Sequence, residues 1–187
     1  MHAMCEQPVI VIVPGWANSG PGHWQTLLEQ SLPNCVRVQM KDWECTQREV
    51  WVQAISETIV AQNAPVIVVA HSLGCIATTY LPNHVRQQIV GALLVAPADP
   101  EKKSFLADFS PVPYTTLPYK SIVVGSSNDP FCAGRLSSAY ARSWGSQYVR
   151  LPDAGHINIE SGFGPWPMGK LLLDSLLSSL TVPLATT

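Results

Sequence analysis

The feature that most constrains this chain is an alternation. Six short runs rich in Val and Ile stand at 9–13, 36–40, 66–70, 89–96, 121–125 and 148–151, and most are apolar in both side-chain directions. A strand apolar on both faces must be covered on both faces, which a parallel sheet between two layers of helices achieves. Between the runs, residues 24–32, 47–62, 73–88, 134–144 and 169–180 place apolar side chains at helical spacing. Strand and helix in turn predict an α/β three-layer sandwich around a mostly parallel sheet of about six strands, with right-handed crossovers. The stretch 97–118, rich in proline, holds at most a short helix near 103–108. It is too short for a second domain or a substantial lid, so the expectation is a single domain over residues 1–187.

Composition narrows the function. Of 187 residues, 47% are hydrophobic and 13% charged, against roughly 25% charged in an average soluble protein. A disordered chain is excluded. Lys+Arg 11 against Asp+Glu 13 leaves a net charge of -2, with no basic stripe to neutralise phosphates, so no nucleic-acid partner is expected. A surface this poor in charge is compatible with a homo-oligomer. The opening MHAMCEQP carries no Lys or Arg, and the run at 9–13 is too short for a signal or a membrane span. A cytoplasmic protein without membrane contact is the expectation. Cys5, Cys35, Cys45, Cys75 and Cys132 are odd in number and scattered, with no C-x-x-C pair and no zinc-like spacing to histidine. Reduced thiols, and neither metal nor cofactor, follow.

In open α/β sheets ligands bind beyond the carboxyl ends of the strands, and there the sequence is rich in chemistry. The run ending at Ala70 passes directly into His71-Ser72-Leu73-Gly74 and then a helical segment. Strand, tight turn and helix with serine at the apex is the nucleophile-elbow pattern G-x-S-x-G, its first glycine replaced by Ala70. After the fifth run comes Ser126-Ser127-Asn128-Asp129-Pro130, and after the sixth Leu151-Pro152-Asp153-Ala154-Gly155-His156. Ser, Asp and His in that chain order, each just past a strand, is the order of α/β-hydrolases. Ser72 is then the candidate nucleophile, His156 the general base, and Asp129 the acid that orients the imidazole. Asp99, after the fourth run, is a rival acid, whereas Asp153 lies too near His156 in its own turn. For the oxyanion, the candidate donors are the backbone N–H groups of Leu73, directly after the nucleophile, and Trp16, where Gly15 brings the chain close to the site. The same loop is no phosphate cradle: Gly20 is followed by Pro21 where a P-loop needs lysine, and Ala17 breaks G-x-G-x-x-G.

At these residues the sequence resembles the small cytosolic serine hydrolases typified by retinoblastoma-binding protein nine and its bacterial relatives, which are compact α/β-hydrolases. The likeness runs through Val13-Pro-Gly-Trp16, Gly22-His-Trp-Gln25, Lys41-Asp-Trp43 with Trp51 downstream, Ala70-His-Ser-Leu-Gly-Cys75, Ser127-Asn-Asp-Pro130, Gly155-His-Ile-Asn158 and Ser161-Gly-Phe-Gly-Pro-Trp-Pro167. By position it implies a triad of Ser72, Asp129 and His156. It departs at Met168, where relatives often carry Glu. The namesake's partner motif L-x-C-x-E is not reproduced, because Leu73-Gly-Cys-Ile-Ala77 lacks the glutamate.

The remaining residues divide between site and core. His23, Phe163 and Trp166, with Gly15, are candidate pocket residues; burial explains the tryptophans as well, and His23 can sit at a helix terminus. Trp43 and Trp51 read as structural, His71 as an orienting or packing residue, and Cys75 as a small buried apolar one. The function these readings support is a metal-free hydrolase of small carboxylic esters acting through an acyl-serine. Thioesterase, amidase and acyltransferase chemistry use the same triad, and a non-catalytic binding protein on a hydrolase fold remains the rival from another class.

Overall fold

The structure is a computed structural model and describes residues 7–181; residues 1–6, with Cys5 and most of the N-terminal stretch discussed above, lie outside it. Strands β1 (Val9–Val13), β2 (Cys35–Arg37), β3 (Val66–His71), β4 (Ile89–Val95), β5 (Lys120–Ser126) and β6 (Gln147–Leu151) alternate with helices α1 (Trp24–Ser31), α2 (Arg48–Val60), α3 (Leu73–Thr79), α4 (Asn83–Arg86), α5 (Gly134–Trp144) and α6 (Pro167–Thr181). The strands form one sheet in the order β2-β1-β3-β4-β5-β6, every neighbouring pair parallel.

The two-sided apolar character of the strands resolves into two cores by residue parity. Val11, Val13, Val66, Val68, Ala70, Ala92, Leu94 and Val123 face a layer that includes Trp51, Ile55 and Ile59 of α2 and Tyr140 and Trp144 of α5. Ile10, Ile12, Ile67, Val69, Leu93, Val95, Ile122 and Val124 face Trp24 and Leu28 of α1 and Leu173 and Leu176 of α6. Period-two side chains on the strands and near-four-residue spacing on the helices therefore give the three-layer sandwich the sequence implied. Trp51 is fully buried with Trp43 packed edge-on at 5.8 Å, so both serve the core.

Three elements differ from the sequence expectation. The helix expected over 73–88 is two short ones, because Pro82 has no N–H to donate and biases the residue before it away from helix. The second strand, expected over 36–40, is the three-residue edge strand β2, continued only by the bond from Val38 N–H to the Ile12 carbonyl at 3.0 Å. The stretch 97–118 folds into two 3-10 turns, Pro100–Lys102 and Ser104–Phe109, in place of one helix.

After β1 the chain moves to one side to make β2, then returns to place β3 on the other side. That reversal opens a crevice between the carboxyl ends of β1 and β3. Gln25, fully buried at the start of α1, fixes its width: Nε2 donates to the carbonyls of Val13 and Val69, each at 3.1 Å, and Oε1 accepts from Ser19 Oγ at 2.6 Å.

Candidate active site

Ser72 stands at the turn from β3 into α3 with φ 53° and ψ −120°, a backbone conformation that residues with a Cβ avoid. The turn closes only because its neighbours are small. A Cβ on Gly15 would lie 2.9 Å from Ser72 Cβ, and one on Gly74 would lie 2.7 Å from the Val13 carbonyl oxygen. Ala70 is completely buried on β3, so a methyl is tolerated where the motif usually has glycine. The Ser72 N–H donates to the Val95 carbonyl at 3.0 Å, and its own carbonyl accepts from Cys75 N–H at 3.1 Å.

The three residues singled out from chain order meet here. His156 Nε2 lies 2.9 Å from Ser72 Oγ, and Nδ1 lies 3.0 Å from both carboxylate oxygens of Asp129. A carboxylate can only accept, so Nδ1 carries the proton and Nε2 is left to accept from the serine hydroxyl. Asp129 and His156 are both buried, and Asp129 Oδ1 also accepts from Phe131 N–H at 2.8 Å. Asp99 is engaged elsewhere: its side chain caps the first 3-10 turn by accepting from Glu101 N–H at 3.1 Å. Asp153 is exposed and accepts from Ser127 Oγ at 3.1 Å.

The turn carrying His156 is irregular, with positive φ at Asp153, Gly155 and Ile157. Side chains hold it in place of a ladder. Ser127 Oγ accepts from Asp153 N–H at 2.8 Å, Ser126 Oγ from Ala154 N–H at 3.0 Å, Asn128 Oδ1 from Gly155 N–H at 2.7 Å, and Ser161 Oγ from His156 N–H at 3.1 Å. The polar residues before Asp129 thus join the loop of Asp129 to the loop of His156. On the carbonyl side, His71 Nε2 lies 3.0 Å from the His156 oxygen, and Trp24 Nε1 donates to the Ile157 oxygen at 2.9 Å.

The site opens into a cleft of about 310 Å³. Gly15, Trp16, His23, Leu73 and His156 line it with Ser72. Trp16 also donates its indole N–H to the Glu44 carbonyl at 3.1 Å and packs on Phe105. His23 serves two duties, lining the cleft and capping α1 by accepting from Gln25 N–H at 3.1 Å. Burial, then the charges of Arg37 and His156, lower its pKa to about 4. Phe163 and Trp166 do not line the cleft, contrary to expectation. Trp166 packs edge-on against Trp24 at 5.1 Å and Phe163 against Trp166 at 5.8 Å, so the pair covers the core between α1 and α6. The wall they were expected to build comes from Phe105 and Leu106 on the second 3-10 turn, with Lys103 before it, and from Phe131 and Ile159. Phe131, two residues after Asp129, was missed although its closeness to that residue could have pointed to it, and the turn at Ser104–Phe109 falls where a short helix near 103–108 was expected, without a role in the cleft. Cys75 is fully buried on α3, and burial pushes its thiol pKa well up. Cys35, Cys45, Cys75 and Cys132 are free thiols.

A parallel, helix-covered sheet with a serine raised on a strand-to-helix elbow at its switch point defines the class: this is an α/β-hydrolase fold. A family model described as serine hydrolase matches residues 10–175, and the chain belongs to that serine hydrolase family. It is accordingly a hydrolase. Among solved structures, a YdeN-like hydrolase of Pectobacterium atrosepticum is 33% identical, with 95% of this chain and 94% of that one covered at a TM-score of 0.84. The ydeN gene product of Bacillus subtilis is 20% identical over 91% of this chain and 99% of its own, at a TM-score of 0.77. The carboxylesterase CesB of Bacillus subtilis shares the fold at 10% identity and a TM-score of 0.67, with 93% of this chain and 85% of that one covered. Curated protein sequences include no match to the chain. Among the described residues no helix is long and apolar enough to cross a membrane.

Proposed function

We propose that the protein hydrolyses small carboxylic esters through an acyl-serine intermediate, with Ser72 as nucleophile, His156 as general base and Asp129 as its orienting acid. The observation that carries this reading is the continuous hydrogen-bonded series from Ser72 Oγ through both ring nitrogens of His156 to Asp129, opening onto the cleft. Ser72 Oγ attacks the ester carbonyl carbon as His156 Nε2 takes the hydroxyl proton. The tetrahedral oxyanion collapses, the alkoxide leaves with that proton, and a water activated by the same nitrogen releases the acid. Asp129 stabilises the imidazolium formed on the way.

Two backbone donors suit the oxyanion. Leu73 opens α3, where the first N–H groups of a helix have no partner within it. In the loop after β1, Ala17 N–H donates to the Trp43 carbonyl and Asn18 N–H to that of Gly15, and Trp16, which lines the cleft beside Ser72, offers its N–H as the second donor. A cleft near the lower end of the roughly 300–1,000 Å³ common for ligand sites supports a small substrate. Trp16, Phe105, Phe131 and Ile159, all partly exposed at its rim, support one with an apolar part. The deciding experiment is labelling with a fluorophosphonate: the wild type reacts at Ser72 and Ser72→Ala does not. A wild type that neither reacts nor turns over a short ester would mark a binding protein on this fold.

A further inference from the structure

We infer that His71 and Trp24 are positioning residues that clamp the base by its main chain, His71 holding the carbonyl of residue 156 and Trp24 that of residue 157. The inference rests on the proposed roles of Ser72 and His156 and concerns how their separation is set.

The peptide after His156 is the weak point of the site. Ile157 sits at φ 50°, a left-handed conformation that a β-branched side chain disfavours strongly. Left to itself it would relax to negative φ, rotating the preceding peptide and swinging the imidazole off Ser72. Two buried donors oppose that rotation. His71 Nε2 lies 3.0 Å from the His156 oxygen and Trp24 Nε1 lies 2.9 Å from the Ile157 oxygen. Since a carbonyl only accepts, Nε2 of His71 carries the proton and the ring is the Nε2–H tautomer. Burial first, and then the neighbouring His156, keep that ring neutral by lowering its pKa well below the usual histidine value. His71 is therefore aimed at main chain and is not a second base for Ser72.

Its place in the sequence explains the arrangement. His71 is the last residue of β3 and the covalent neighbour of Ser72. A bond from its ring to the backbone of His156 ties base to nucleophile through one residue. The N–H side of the same turn is tied to the acid's strand by Ser126, Ser127 and Asn128. The base is thus fixed from both of its partners' strands. Trp24 adds the second hold while packing edge-on against His71 at 6.0 Å.

The test compares His71→Leu, His71→Gln and Trp24→Phe in the rate of fluorophosphonate inactivation and in kcat and KM for a short-chain ester. Glutamine can return an amide N–H near the position of Nε2; leucine cannot. Misplacing a catalytic group by an ångström can cost about a hundredfold. His71→Leu is therefore expected to lower kcat and the inactivation rate together by roughly 10- to 100-fold with KM within about twofold. His71→Gln should recover most of the loss, and Trp24→Phe, which keeps a ring but loses the N–H, should fall between. A folded His71→Leu protein within twofold of wild type, or His71→Gln as slow as His71→Leu, would overturn the clamp. Should the leucine variant not fold, nitrogen-15 NMR of the wild type decides: at neutral pH His71 must be the neutral Nε2–H tautomer, and an Nδ1–H tautomer or a protonated ring refutes it. Failure of the wild type to label at Ser72 would overturn the underlying mechanism and the clamp with it, whereas unchanged labelling in His71→Leu overturns the clamp alone.

Discussion

Replacing Ser72 by glycine should make the protein more stable than replacing it by alanine. Both variants lose the hydroxyl and its 2.9 Å bond to His156, so their difference isolates the backbone. The observed φ 53° and ψ −120° are the mirror image of the common −60°, +120° conformation, which glycine adopts without steric cost. A residue with a Cβ held there carries strain on the order of 1–3 kcal/mol. Glycine gives back about 0.5–1 kcal/mol through its greater freedom in the unfolded chain. The net expectation is that Ser72→Gly exceeds Ser72→Ala by roughly 1 kcal/mol, or about 2–4 °C in Tm for a chain of this size. Thermal and urea unfolding of the two variants measure it. An alanine variant as stable as the glycine one, or more so, would show that the elbow holds no strain and refute the reasoning.

Asp129→Asn should lower ester turnover by roughly 10⁴-fold with little change in KM, while Asp99→Asn, which only alters the cap on Glu101, stays near wild type; the reverse pattern in steady-state kinetics would move the acid to the end of β4. Across a series of acyl chain lengths, short esters should react fastest with no rate jump at a micellar threshold, and a maximum at long chains would contradict a cleft of about 310 Å³. His23, with its pKa lowered to about 4 by burial, Arg37 and His156, is protonated at higher pH in the unfolded chain, near 6.5. Its contribution is therefore fully present above about pH 6.5 and lost as pH falls toward 4, by about 3 kcal/mol at most. His23→Asn, which keeps an acceptor for the Gln25 N–H, should flatten the unfolding free energy across that window, and an unchanged pH dependence would remove His23 as the cause.

The sheet was legible because its cause is local. A run such as Val66–Ala70 is covered on both faces inside a helix sandwich, and the strand interiors then follow from parity. The elbow was legible for a similar reason, since only small residues fit where Gly15 and Gly74 pass the nucleophile. The cleft wall was not. Phe163 and Trp166 follow His156 closely in the chain, which made them candidates. The Gly162 turn at φ 87° precedes a segment that packs on Trp24 and the core beside α1 and α6. Phe105 and Leu106 lie in a stretch whose path depends on where Phe109 and Leu106 find a place in the core beside Trp51. That is a tertiary matter, without a period for the sequence to display. The broken helix is the opposite case, for Pro82 stood in the segment and its effect is local.

The stretch Ser126-Ser127-Asn128-Asp129 shows how position and chemistry divide in this site. Asp129 alone reaches the imidazole, yet the three residues before it bond the backbone of residues 153–155. An acid brought to Nδ1 without those bonds would face a turn with no ladder to hold it. A base held by them without the acid would lack its tautomer. Because the same four residues supply both, the distance from Asp129 to His156 is set within one short segment following β5. The distance from His156 to Ser72 is set in turn by residues that end β3 and begin α1. Ser126, Asp129, His71 and Trp24 are buried at the carboxyl edge of the sheet, whereas Ser127 is half-buried and Asn128 exposed, so the loop of His156 is held from the core on one side and from the surface on the other.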